Sequence, residues 1–270
     1  MDTSESWDDW TFSRPATLSI LDLIESRTLD FKLAGLLWLI METRASLLVA
    51  SAPVYAGKTT LLHALLDLLP PEQPLYSLKG FAETFVFPNL HKPESVYLVS
   101  EEISNHQYEY LWGQQVQKTF RLMRQGYRLG STIHASTIQD VAYIFYGYLN
   151  VPLADIANLG VIVTLHAMNG RTYYDDPIRR VHAVTVIDMD DKKLVARTLA
   201  ARESLDGAFT YPQENALREV LQAKFGIRHE HIFSEIDARG TFLEQLFTSG
   251  IRSREDVKKA VSEFYRSRSG

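Results

Sequence analysis

Ser46-Leu47-Leu48-Val49-Ala50-Ser51-Ala52-Pro53-Val54-Tyr55-Ala56-Gly57-Lys58-Thr59-Thr60-Leu61-Leu62 is the stretch that decides the fold. Its first five residues make a short continuous apolar run, the pattern of a buried strand in a parallel sheet. Residues 58–69 follow at helical periodicity and stop at Pro70-Pro71, because the residue before a proline is pushed out of the helical region. The loop between them delivers Gly57-Lys58-Thr59 to the start of the helix. A helix N-terminus points free N–H groups and the positive end of its dipole at an anion. Gly57 lets the backbone close round phosphates without a Cβ in the way. Lys58 supplies a point charge to the β- and γ-phosphates, and Thr59 a hydroxyl to Mg²⁺. The candidate nucleotide-binding loop is therefore Ala52, Pro53, Val54, Tyr55, Ala56, Gly57, Lys58, Thr59 and Thr60. Ala52 stands where the strict pattern has a glycine, which narrows the allowed backbone angles. The competing reading, a turn with Lys58 as a solvated charge, does not account for the strand before and the helix after.

Outward from the loop, the pattern predicts alternating helices and strands. A helix over residues 17–26, with Thr17 as its cap, precedes a second over 31–43 capped by Asp30. The second is apolar on nearly every side and should be buried. Strands are predicted over 74–78, 96–100, 127–134 and 161–166, and helices over 107–125 and 137–149. The runs 181–189 and 192–201 flank the acidic Asp188-Met189-Asp190-Asp191, the pattern of a hairpin at a sheet edge. Three helices follow, over 212–225, 229–248 and 253–267. The expected organisation is a lead-in over 1–16, an α/β core over 17–205 and a helical subdomain over 206–270.

Composition narrows the class. The chain has 270 residues, 46% hydrophobic and 23% charged, with a formal charge of −5. That is enough apolar material for a folded core. There is no cysteine, which excludes disulfides, thiol nucleophiles and cysteine zinc sites. The longest apolar run, 33–41, is shorter than the roughly 20 residues a membrane span needs. Asp2, Glu5, Asp8 and Asp9 at the start argue against a secretory signal. The net acidity argues against a nucleic-acid partner.

Several motifs together resemble the ATPases that drive type II and type IV secretion, type IV pili and archaeal flagella, and among these the archaeal-like branch. They are residues 17–26 and Leu36-Leu37-Trp38-Leu39 ahead of the loop, and Leu61-Leu62-His63-Ala64-Leu65 behind it. Further on, Val96-Tyr97-Leu98-Val99-Ser100-Glu101-Glu102 is similar to the family's Walker B strand. Gly130-Ser131-Thr132-Ile133-His134-Ala135 is similar to its histidine box. The run from Arg179-Arg180-Val181 to Asp188 resembles the basic-led strand that follows. Glu235-Ile236-Asp237-Ala238-Arg239, Phe242-Leu243 and Gly250-Ile251 resemble the C-terminal helices of the archaeal-type motors. The resemblance implies an α/β fold with a RecA-like P-loop NTPase core, a mainly parallel sheet flanked by helices, a hairpin edge and a C-terminal helical appendix. It implies ATP and Mg²⁺ as cofactors and assembly into a ring such as a hexamer. It also implies a membrane platform protein as partner, and a cytoplasmic location, peripheral at the inner face of the cell membrane.

A carboxylate at the end of a strand beside the phosphate loop can orient the attacking water and help hold Mg²⁺. Glu101 and Glu102 are adjacent, so on a regular strand they face opposite ways and only one can serve. Counting from the apolar run favours Glu101, as catalytic group and with Thr59 as metal ligand; a one-residue shift would favour Glu102. His134 ends a strand at the edge where open α/β sheets bind ligands, and the resemblance makes it the reporter on the γ-phosphate.

Two departures bear on mechanism. Glu83 is the only carboxylate where relatives carry an acidic box, and no arginine occurs between residues 45 and 120. Phosphoryl transfer draws much of its rate from such arginines. The candidates left are Arg14, Arg121, Arg124, Arg128, Arg171, Arg179 and Arg180, and the last pair is expected to reach a neighbouring subunit's site only if subunits assemble head to tail in a ring. Only about 16 residues precede the core, where relatives carry a nucleotide-clamping domain of at least ~50. Two functions stay open: an ATP-hydrolysing motor subunit, and a degenerate relative with weak or no hydrolysis acting in assembly or regulation. A small-molecule kinase would share the loop but leave His134 and the C-terminal helices without a role.

Overall fold

In the computed structural model, residues 17–52, 56–87, 92–168, 177–228 and 230–268 are described. Pro53, Val54 and Tyr55 of the candidate loop lie outside them, as do Arg14 and Arg171.

The elements run α1 (Ile20–Glu25), α2 (Phe31–Glu42), β1 (Leu47–Ala50), α3 (Lys58–Leu66), β2 (Leu75–Ser77), β3 (Tyr97–Val99), α4 (Gln114–Arg124), β4 (Arg128–Ile133) and α5 (Ile138–Ala142), which continues as a π-helical turn over Tyr143–Tyr148. Then come α6 (Leu153–Ile156), β5 (Val161–Met168), β6 (Ile178–Asp190), β7 (Lys193–Ala201), α7 (Glu214–Phe225), α8 (Ile232–Thr248) and α9 (Arg254–Arg268). One seven-stranded sheet has the order β2-β3-β4-β1-β5-β6-β7. The first five strands in that order are parallel, and β6 and β7 are antiparallel. This is a mainly parallel, helix-flanked α/β sheet with a hairpin at its edge. Among the described residues no helix is long and apolar enough to cross a membrane.

Helices cover both faces of the sheet. On one face Leu47, Val49, Tyr97, Val99 and Val163 meet α1, α2, α3, α8 and α9. On the other, Leu48, Ala50, Leu98, Leu129 and Ile162 meet α4 and the segment around Phe145. Residues alternate between the two clusters along β1 and β3 and at the start of β5, as the pleat requires. Every residue from Leu33 to Met41 of α2 is buried, because this helix is sandwiched between the sheet and α8. The crossing of α2 and α8 is close: a Cβ on Gly35 would stand 2.4 Å from the carbonyl oxygen of Ile236. Leu217, Leu221, Leu243 and Leu246 of the C-terminal helices are buried in the same cluster as the sheet face, with Val220, Phe225 and Phe233 packed at its margin. Arg239 is 2% exposed, pairs with Glu42 and Glu235, and lies 5.8 Å from the Trp38 ring.

Three elements depart from the periodic reading. Ser19, not Thr17, caps α1 and forms a reciprocal capping box with Asp22. The helix predicted from residue 107 begins at Gln114. The preceding segment instead closes a loop, with the Leu111 N–H donating to the Glu102 carbonyl at 3.0 Å and both Ile103 and Leu111 buried. The hairpin turn falls at Asp191, in left-handed conformation with φ 53°, and Asp188 remains inside β6.

Candidate nucleotide site

The site is assembled at the C-terminal ends of β1, β3 and β4. β1 is central, flanked by β4 and β5, and the chain leaves it into the phosphate loop and α3. Gly57 is the residue before α3 and has φ +85°, a left-handed conformation that glycine adopts at little cost. Lys58 opens α3 and is 6% exposed, while the Thr59 residue is exposed in the same first turn.

A bulge decides which glutamate faces the loop. Val99 of β3 pairs with Gly130 of β4, and Ile103 bridges to Ile133. That is four residues on one chain against three on the other, one residue more than a regular ladder holds. The Thr132 hydroxyl donates to the Glu101 carbonyl at 2.8 Å and fixes the distortion. On a straight strand Glu101 would share the face of Tyr97 and Val99, which is the α3 side. The extra residue gives that place to Glu102. Glu102 is buried at 8% exposure. Its Oε2 lies 3.9 Å from Lys58 Nζ and its Oε1 3.2 Å from His134 Nε2. Glu101 is half-buried beside this group.

His134 follows β4 on the same face as Gly130 and Thr132. Its Nδ1 lies 3.2 Å from the Ala52 carbonyl oxygen, and Lys58 Nζ lies 3.3 and 3.5 Å from the two ring nitrogens. Lys58, Glu102 and His134 thus converge at one helix N-terminus. Burial pushes the Lys58 amine below its ordinary value, and the Glu102 charge pulls it partly back. Burial likewise raises the Tyr110 phenol, with Glu102, Glu101 and Glu109 adding to the effect.

Two further residues stand in this region. The first is His106, in the 103–111 loop and just ahead of the helix expected from residue 107; its ring centre is 5.8 Å from that of His134. The second is Arg179. β6 runs antiparallel to β5 and pairs Arg179 with Ala167, three residues past the Thr164 that pairs with Ala50 of β1. That offset carries Arg179 to the level of the phosphate loop. A Cβ on Gly57 would stand 2.9 Å from Arg179 Cδ and 3.5 Å from its Nε. Arg179 therefore lies beside Gly57 of its own chain, a placement that needs no ring assembly. Arg180 is tied down elsewhere: Nη1 donates to the Ser26 carbonyl at 2.8 Å and Nε to the Leu205 carbonyl at 3.1 Å. Glu83 is buried and folds its own loop, accepting from the Lys79 N–H at 2.9 Å and the Phe85 N–H at 2.6 Å.

No protein-family model matches the chain. It is 24% identical over 264 residues to uncharacterized protein MJ1287 of Methanocaldococcus jannaschii, covering 88% of this chain and 95% of that protein. It is 23% identical over 279 residues to uncharacterized protein MJ0900 of the same organism, covering 92% of this chain but 49% of that relative, about half its length. Among solved structures it is similar to the VirB11 ATPase from the Brucella suis type IV secretion system in complex with sulphate. That likeness has a TM-score of 0.38 and 16% identity, over 61% of this chain and 54% of the other.

Proposed function

We propose that this chain binds ATP with Mg²⁺ at the phosphate loop and hydrolyses it, as a subunit of a secretion or type IV pilus-like motor. The observation that carries the reading is the convergence of Lys58, Glu102 and His134 at the N-terminus of α3. Each has a role there. The α3 N-terminus and Lys58 draw the phosphates in. The Thr59 hydroxyl, exposed in the first turn of α3, suits the Mg²⁺ that accompanies nucleotide, which when bound would neutralise charge on the phosphate oxygens. Glu102 orients the attacking water, and His134 senses the terminal phosphate. Arg179, lying across Gly57, is placed to spread the charge that develops on the transferred group. An arginine in that position favours hydrolysis over the regulatory reading, whose main ground was the arginine-free interval.

The motor assignment rests on the order of motifs along the sequence, and with it we place the partners as further copies of this chain and a membrane platform protein. The first test is calorimetry with Lys58→Ala. ATP affinity should fall at least about tenfold, the loss of one charge-assisted contact. Equal binding by wild type and variant would mean that nucleotide, if it binds, binds elsewhere.

A further inference from the structure

We propose that Glu102, His106 and His134 form a binding site for a borderline divalent cation of the Mn²⁺ to Zn²⁺ series, beside the phosphate loop. One ligand atom from each residue lies within 4.8 Å of the other two. The tightest pair, His134 Nε2 and Glu102 Oε1, is 3.2 Å apart. Two ligands at ordinary metal–ligand distances stand about 3.0 Å apart at right angles and about 3.4 Å apart at tetrahedral angles. The pair is thus already at the spacing a shared cation imposes.

The hydrogen bonding points the same way. Glu102 Oε1 is buried and accepts no hydrogen bond among the described residues, in spite of its nearness to the imidazole. The Ala52 carbonyl, an acceptor 3.2 Å from His134 Nδ1, is satisfied in the tautomer that carries the ring proton on Nδ1. A carbonyl holding one ring nitrogen while the other faces a metal is the usual arrangement of a ligating histidine. Lys58 Nζ is nearly equidistant from both ring nitrogens, so it lies along neither lone pair. In that tautomer Nε2 and Oε1 meet as two acceptors, and a cation between them would satisfy both. His106 completes the set from an exposed loop. That loop is anchored by the Leu111-to-Glu102 hydrogen bond, and its turn is held by the His106 N–H donating to Ser104 Oγ at 3.3 Å.

The donor set selects the class of ion. Mg²⁺ prefers oxygen ligands in octahedral array, whereas imidazole suits manganese-to-zinc cations. Three protein ligands would leave coordination positions open to a further ligand. The Lys58 ammonium, 3.9 Å from Glu102 Oε2, opposes a cation until phosphate arrives to neutralise both charges. Metal and nucleotide should accordingly tighten each other's binding. Only this coupling rests on the nucleotide reading; the metal site stands on the ligand geometry alone.

The experiment is calorimetric titration of the full chain, without nucleotide, by ZnCl₂, MnCl₂ and MgCl₂, with CoCl₂ followed by visible absorption. Zn²⁺ should bind one site at least about tenfold more tightly than Mg²⁺, and Co²⁺ should show the bands of a nitrogen-ligated ion of low coordination number. His106→Ala should weaken Zn²⁺ at least about tenfold, and His106→Asp, which restores a ligand, should recover part of the loss. Thermal unfolding of each variant controls for folding. Zn²⁺ bound no more tightly than Mg²⁺, or equally by wild type and His106→Ala, would overturn the site; the 3.2 Å contact is then an imidazolium–carboxylate pair. ATP binding, read separately in the Lys58→Ala comparison, is unaffected by that outcome, so the two proposals fail independently.

Discussion

At the scale of single residues, one extra position after β3, set against β4, exchanges the faces that two adjacent glutamates take. Parity counting along Val96-Tyr97-Leu98-Val99 assigns Glu101 to the α3 face. The bulge fixed by the Thr132 hydroxyl moves Glu102 there instead, to within reach of Lys58 and His134. The expected kinetic result is asymmetric. Glu102→Gln removes the charge while keeping the shape, so turnover should fall about 10²–10⁴-fold with ATP affinity little changed. Glu101→Gln should cost less than about tenfold in turnover. Phosphate-release rates and calorimetric affinities for the two variants decide it. The reverse order of effects would return the role to Glu101.

At the scale of elements, the C-terminal helices are held to the core by a backbone approach that no larger residue permits. Gly35 of α2 faces α8, and a Cβ there would stand 2.4 Å from the Ile236 carbonyl oxygen and 2.9 Å from the Gly240 nitrogen. Both obstacles are backbone, so the helices themselves must separate. Gly35→Ala should therefore destabilise the protein by about 1–3 kcal/mol as an overpacked site. This is the net expectation, because alanine's helix propensity returns only about 1 kcal/mol at most. Denaturant unfolding measures the change; an unchanged or raised midpoint would show that α2 and α8 do not cross this closely. The wider interface shows how the appendix is joined: Trp38 of α2 donates to the Tyr265 hydroxyl at 3.0 Å, which donates in turn to the Leu68 carbonyl at 2.8 Å. Residues beyond 206 share one apolar cluster with the sheet.

At the scale of the whole molecule, the antiparallel return of β6 supplies the site with a charge that is far from it in sequence. Arg179 lies across Gly57 of the same chain. If it stabilises transfer in cis, specific activity should hold steady as the protein is diluted to monomer. Arg179→Gln should lower turnover about 10³-fold or more at every concentration while ATP still binds. Activity measured against concentration, with sedimentation in parallel, tests this. A steep rise on assembly, with Arg179→Gln inert, would place the stabilising charge on a neighbouring copy.

The amino-acid sequence by itself determined the elements and their order. The strand of Leu47–Ala50, the glycine–lysine–threonine turn into α3, the wholly buried α2 and the hairpin of β6 and β7 are each written in local pattern, because burial on one element has a fixed period and turns have fixed chemistry. Lys58 and Thr59 were legible for the same reason, as loop positions; Glu102 was legible only as the second choice after Glu101, and His134 only through the family resemblance. Tertiary structure alone decided which glutamate faces the loop, that His106 stands beside His134, and that Arg179 reaches Gly57. Each depends on pairing between segments distant in the chain. A bulge is a mismatch between two strands, and neither strand's own periodicity contains it. The 103–111 loop closes because Ile103 and Leu111 bury against the sheet, which overrides any local helical preference. The reach of Arg179 is a sum of registers, β1 to β5 and β5 to β6, and registers are set only when the strands meet.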